Sequence, residues 1–213
     1  MSTKSGENLL LKKESYANKG ESLIEILAAV TVFAITIGAI SGIFISAVRS
    51  QRRVLATQEL LDQTSYVLEY TGRALRMAKK ELNAPTCLSS NGLNYEIPLA
   101  YQIGGDENLG RGIRFINHLQ NDDCQEFFLD GNQLKYKIKI GTVDETTLDF
   151  TSTKLQVNSL KINLSGKTQP LTDYLQPRVT IFLEIFGRGP VGEKPKIQIQ
   201  TSVSQRELDV QYY

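Results

Sequence analysis

Two abrupt changes of polarity divide the first quarter of the chain. Residues 1 to 20 are polar, and Lys4, Lys12, Lys13 and Lys19 outnumber Glu7 and Glu14. From Ile26 to Val48 there follow 23 residues with no charge and no proline. As a helix at about 1.5 Å per residue this run is roughly 35 Å long, against about 30 Å for the hydrocarbon core of a bilayer. The pattern predicts a membrane-crossing helix, because the rest of the chain is too small and too polar to enclose such a run as a buried core helix. Arg49, Arg52 and Arg53 end it abruptly and suit a membrane–water boundary.

Beyond the arginines the apolar pattern becomes periodic. Val54, Leu61, Leu68, Leu75 and Leu82 recur at seven-residue steps, with Thr57, Thr64, Thr71 and Ala78 at the alternate positions. Leu60, Val67 and Ala74 widen the stripe. This spacing predicts an amphipathic helix through about residue 82, stopped by Asn83, Ala84 and Pro85. Such a stripe packs onto a sheet or, alternatively, pairs as a coiled coil. The strand signals that follow favour the sheet.

Gly112 to Ile116 reads as a short strand. Cys124 to Leu129 and Gln133 to Ile140 flank Asp130-Gly131-Asn132, a hairpin turn. In the second arm Tyr136, Ile138 and Ile140 alternate with Lys135, Lys137 and Lys139, so one face is wet. Leu160, Ile162 and Leu164 alternate again before Ser165-Gly166. Arg178 to Phe186 and Lys196 to Val203 read as the last two strands, joined as a hairpin through the glycine-rich stretch from Gly187 to Gly192. A long helix followed by antiparallel strands predicts an α+β fold.

Composition adds exclusions. The formal charge of +1 gives no field for binding nucleic acid. One histidine, His118, and two cysteines, Cys87 and Cys124, are too few for the usual zinc spacings. The acidic doublets Asp106-Glu107, Asp122-Asp123 and Asp144-Glu145 match no calcium-loop spacing and read as solvated loops. No constellation supports catalysis, so neither an enzyme nor a cofactor or metal is expected. Cys87 lies just after the long helix and Cys124 opens a strand. A disulfide between them would tie helix end to sheet; two reduced cysteines in the core are the alternative.

An ordinary secretory signal places its apolar run before a small-residue cut site. Here the order is reversed. The basic leader ends in Lys19-Gly20, and Glu21-Ser22-Leu23-Ile24-Glu25 leads into Ile26-Leu27-Ala28-Ala29. This junction resembles the type IV prepilin signature, shared with the pseudopilins of type II secretion. The resemblance implies cleavage by a prepilin peptidase after Gly20, N-methylation of the new terminus at Glu21, and an assembly role for Glu25, the fifth residue after the cut. Glu21 departs from the pattern, since the family usually has phenylalanine or another apolar residue there. The resemblance covers about the first 50 residues.

The family plan then implies a leader (1–20), a transmembrane and filament-core helix (21–48), an amphipathic extension (49–84) and a β-rich extracytoplasmic domain (85–213) in a pilin-like fold. It implies a structural subunit that resembles the larger minor subunits such as the J-type pseudopilin. Implied partners are the prepilin peptidase, other pilin or pseudopilin subunits and the inner-membrane assembly platform. The competing expectations are a filament-tip adhesin, a DNA-uptake pilin, or an enzyme on a membrane anchor.

Physical reasons stand beside the resemblance. Glycine at position 20 lets catalytic groups approach the backbone. A carboxylate at the border of a membrane helix is costly unless paired or functional. An amine and a carboxylate about 4 Å apart attract by roughly 4 kcal/mol at an effective dielectric near 20, before desolvation. Glu25 therefore either pairs with the new amine of a neighbouring subunit or reaches out to the headgroups. Gly38 and Gly42 form a small-xxx-small pair suited to close helix approach in a membrane.

Overall fold

The computed structural model describes residues 22–167, 175–187 and 194–206. The chain divides into two compact units, Met1–Arg49 and Ser50–Tyr213. One helix, α1 (Leu23–Arg76), begins in the first and ends in the second. The strands of the second unit are β1 (Ala78–Lys79), β2 (Gln102–Ile103), β3 (Asp106–Gly110), β4 (Gly112–Asn117), β5 (Asp123–Asp130), β6 (Gln133–Ile138), β7 (Thr146–Asp149), β8 (Gln156–Ser165), β9 (Arg178–Phe186) and β10 (Lys196–Ser204). They form two antiparallel sheets, ordered β1-β4-β5-β6-β7 and β10-β9-β8-β3-β2. The class is α+β.

The second unit has one apolar core, to which α1 and both sheets contribute. Leu60, Val67, Ala74 and Leu75 come from the helix, Ile113, Phe115, Phe127 and Leu134 from the first sheet, and Leu160, Ile162, Ile181 and Leu183 from the second. β9 shows the cause most simply. Val179, Ile181, Leu183 and Ile185 point inward and are buried, while Thr180, Phe182 and Glu184 between them are only half-buried. In β8 the register shifts between Val157 and Ser159. Both Val157 and Leu160 are buried as a result, although simple alternation would put them on opposite faces.

The buried stripe of α1 differs from the one the seven-residue repeat predicts. Leu60, Thr64, Val67, Thr71, Ala74 and Leu75 are buried, while Val54 and Leu61 are 52% and 46% exposed. The positions expected only to widen the stripe are its centre. Threonine is tolerated there because its hydroxyl can bond back to the helix: Thr64 Oγ1 donates to the Leu60 carbonyl at 2.6 Å.

The helix also stops at Arg76, short of the predicted residue 82. Arg73 and Arg76 place positive charge in its last turn, where the helix dipole favours it. Ala78 and Lys79 then leave helical geometry to pair with Asn117 and Ile116 of β4. Leu82, the last expected stripe residue, is consequently exposed.

The strands expected at 112–116, 124–129, 133–140, 178–186 and 196–203 are present as β4, β5, β6, β9 and β10, with no end moved by more than two residues. Asp130 pairs with Gln133 across a two-residue turn in which Gly131 has φ of +58°. Asp106 and Glu107, expected in a loop, instead open β3, which gains its definition by pairing with β2 and β8. β9 and β10 pair antiparallel as expected; residues 188–193 of their connection lie outside the described residues.

Leu60→Ala should cost about 2–5 kcal/mol, the range for emptying a fully buried leucine site. Leu61→Ala should cost less than about 1 kcal/mol, as for a surface substitution. Urea unfolding of both variants checks this, and equal losses would restore the seven-residue stripe as the packed face.

Candidate functional site

In the first unit the functional candidate is a helix surface. Every residue from Ser22 to Ala47 is exposed. The helix is long and apolar enough to cross a membrane. Leu23, Phe33 and Ile43 are each more than 60% exposed, and so large an apolar face is normally covered by lipid or by protein. Its two threonine hydroxyls do not oppose that. Thr31 Oγ1 donates to the Ala28 carbonyl and Thr36 Oγ1 to the Val32 carbonyl, each at 2.8 Å. Added Cβ atoms at Gly38 and Gly42 would meet nothing within 4 Å, so both glycines lie open on this surface.

Glu25 is the only charged residue between Leu23 and Val48. It sits in the first turn of α1, where its N–H and that of Ile26 donate to the Ser22 carbonyl at 2.8 and 3.3 Å. A carboxylate in the first turn is favoured by the helix dipole. Among the described residues it has no ion-pair partner. Gly20 and Glu21, the residues of the expected cut, lie outside the described residues.

In the second unit Cys87 and Cys124 are bonded, with Cα atoms 5.5 Å apart and a sequence separation of 37. Closing a loop of that length stabilises by about 4 kcal/mol on the chain-entropy account. The bond fastens the segment after α1 to β5, and a second device holds the same segment. Glu81 is 2% exposed. Its carboxylate accepts the N–H of Asn83 at 3.0 Å, of Cys87 at 3.0 Å and of Leu88 at 3.2 Å, and the Thr86 hydroxyl at 2.8 Å. Burial alone would raise its pKa. The Cys87 N–H, the Thr86 hydroxyl and the N–H groups of Leu88 and Asn83 outweigh that and hold it below the ordinary value.

Sequence reasoning passes over Glu81, because a lone carboxylate before a proline-bearing turn ordinarily faces water. It also passes over Glu126, 2% exposed, which Arg114 grips through Nη2 at 2.7 Å and Nε at 2.8 Å. Those two residues face each other across β4 and β5, so the signal was readable once the register was known. Tyr101 lies against this pair, and burial together with the Glu126 charge pushes its hydroxyl pKa up.

His118 is exposed and its Nδ1 lies 2.9 Å from Asp122, which Lys79 also contacts at 2.8 Å. Among the described residues no group of three or more His, Cys, Asp or Glu side chains is placed to hold a metal. Where α1 meets the two sheets the core leaves a gap of only about 30 Å³, lined by apolar side chains such as Val67, Phe127 and Leu183. That is room for about one water molecule.

Glu81→Gln, which keeps shape but removes the charge and turns one acceptor into a donor, should destabilise the oxidised protein by about 1.5–3 kcal/mol near neutral pH. The pKa of Glu81 is lowered on folding, so its stabilisation is complete above the ordinary carboxylate value of 4.5 and is lost as pH falls through the folded value. The stability gap between wild type and variant should therefore narrow in acid. Urea unfolding across pH checks this, and a gap that stays constant or widens contradicts it.

Searched against protein-family models, curated proteins and solved structures, the chain matches none of them.

Proposed function

We propose that this chain is a prepilin-type subunit, a minor pilin or pseudopilin of a type IV pilus or a type II secretion-like filament. The observation that carries the reading is the junction at the head of α1. A basic leader ends in Lys19-Gly20, and the first part of α1 follows, an apolar stretch from Leu23 to Val48 whose single charge is Glu25. In this reading a prepilin peptidase cuts after Gly20, Glu21 becomes the new terminus and the site of N-methylation, and the apolar segment passes from the membrane into the filament core. Before assembly the chain is a single-pass membrane protein with its β-rich unit outside the cytoplasm.

Three features support the reading. The apolar surface of α1 up to Ala47 is wholly exposed and so is available to lipid first and to neighbouring helices later. Among the described residues the buried core of the second unit begins at Leu60. Its disulfide belongs to an oxidising compartment, as an exported domain would have. The pilin-like arrangement of long helix and antiparallel sheets, with two sheets in place of a single one, belongs to the same proposal.

Gly20→Val should leave full-length precursor in the membrane, seen as intact mass. A mature form beginning at Glu21 in that variant would remove the peptidase reading. Glu25→Gln should leave cleavage intact and lower the ratio of filament-associated to membrane-retained protein by roughly tenfold, the equivalent of about 1.4 kcal/mol. The substitution makes membrane burial easier, so failed insertion would not explain the loss. Normal incorporation would show that Glu25 makes no pair between subunits.

A further inference from the structure

The second sheet ends in a strand that lacks the usual protection. β10 pairs with β9 along nine registered positions, from Lys196↔Phe186 to Ser204↔Arg178. Its other edge has no partner strand among the described residues. An antiparallel edge presents outward-pointing N–H and C=O groups along its length, a template for another extended chain. The remaining sheet edges are short: β1 and β2 have two residues each and β7 has four. β10 has no proline and no bulge against β9, and its one charge, Lys196, stands at its start and pairs with Glu184 at 3.0 Å.

The flank of this edge is shaped and charged. A groove of about 600 Å³ lies between the last third of β10 and the last turns of α1. Thr201 and Val203 form one wall, and Leu68 and Gly72 the other. Arg73, Arg76 and Arg206 line it against a single acid, Glu69, which Arg73 engages at 2.6 Å. Arg76 and Arg206 are exposed and have no ion pair among the described residues. Farther along the strand the inward side chains Ile197 and Ile199 are only half covered.

From the open edge and the basic groove together, we infer that β10 receives an extended, acidic segment of a partner polypeptide as an added strand. Main-chain hydrogen bonds supply the docking, an apolar side chain of the segment covers the half-buried Leu68 and Thr201, and its carboxylates meet Arg76 and Arg206. A second copy of β10 fits less well. The only charged side chain on that strand is Lys196, so it brings the arginines no carboxylate.

The test uses the full chain in non-ionic detergent micelles and three labelled, end-blocked peptides as long as β10. One alternates glutamate with valine, one alternates lysine with valine, and one is the acidic peptide N-methylated at every peptide bond. Anisotropy titration should show binding of the acidic peptide, with the other two weaker by at least about tenfold. Replacing both Arg76 and Arg206 by alanine, at exposed positions that leave the fold intact, should weaken the acidic peptide by about tenfold, the sum of two modest ion pairs. No binding of the acidic peptide overturns the proposal, as does equal binding of the lysine peptide. Undiminished binding of the N-methylated peptide shows charge attraction without strand addition, and overturns it too. Binding that appears only when the chain is shortened to end at Arg206 assigns the edge to the protein's own last residues and not to a partner.

Discussion

The last carbonyls of a helix have no intrahelical donors, and a buried helix end must find them elsewhere or lose several kcal/mol. At the end of α1 the donors come from far along the chain. The Tyr95 hydroxyl donates to the Leu75 carbonyl at 2.7 Å, and the Arg206 N–H to that of Arg76 at 2.9 Å. The His118 N–H serves the Met77 carbonyl at 3.1 Å, and Gln205 Nε2 that of Ala78 at 2.7 Å. The loop before β2, the end of β4 and the segment after β10 thus converge on one turn of backbone. The first sheet starts from this place, since β1 pairs with β4 immediately after it, and the second sheet is fastened here by its last strand.

The segment leaving that turn is held twice more, by a covalent bond at Cys87 and by four donors on the Glu81 carboxylate. The two devices differ in kind. The disulfide acts mainly by restricting the unfolded chain, whereas the carboxylate acts in the folded state by gathering the donors of a partly buried turn around one buried side chain. The first depends on the redox state of the compartment and the second on its acidity.

Much of this fold was legible in the sequence where side chains alone determine placement. The run from Ile26 to Val48 needs no partner to be recognised, and β9 announces itself through Val179, Ile181, Leu183 and Ile185. The illegible parts are those defined by pairing. β3 and β7, with sequences Asp-Glu-Asn-Leu-Gly and Thr-Thr-Leu-Asp, carry no apolar alternation and exist because β8 and β6 offer them edges. The stripe of α1 was read with Thr64 and Thr71 on it, but its centre was set on the leucines of the seven-residue repeat, because apolar spacing alone does not tell which side of the stripe the sheets cover. Of the candidate site, Glu25 was legible as an isolated charge in an apolar context. Glu81 was not, because its donors are backbone groups that sequence does not distinguish.

The hydroxyls of Thr31 and Thr36 have a further consequence. Both are bonded to carbonyls of their own helix, so neither depends on its surroundings for a partner. Carrying this segment from one apolar environment to another breaks neither bond, and what changes is the set of van der Waals neighbours. These two hydroxyls are in that sense indifferent to the segment's solvent, and beside the charge of Glu25 what distinguishes two such environments is how closely the open faces at Gly38 and Gly42 can be approached.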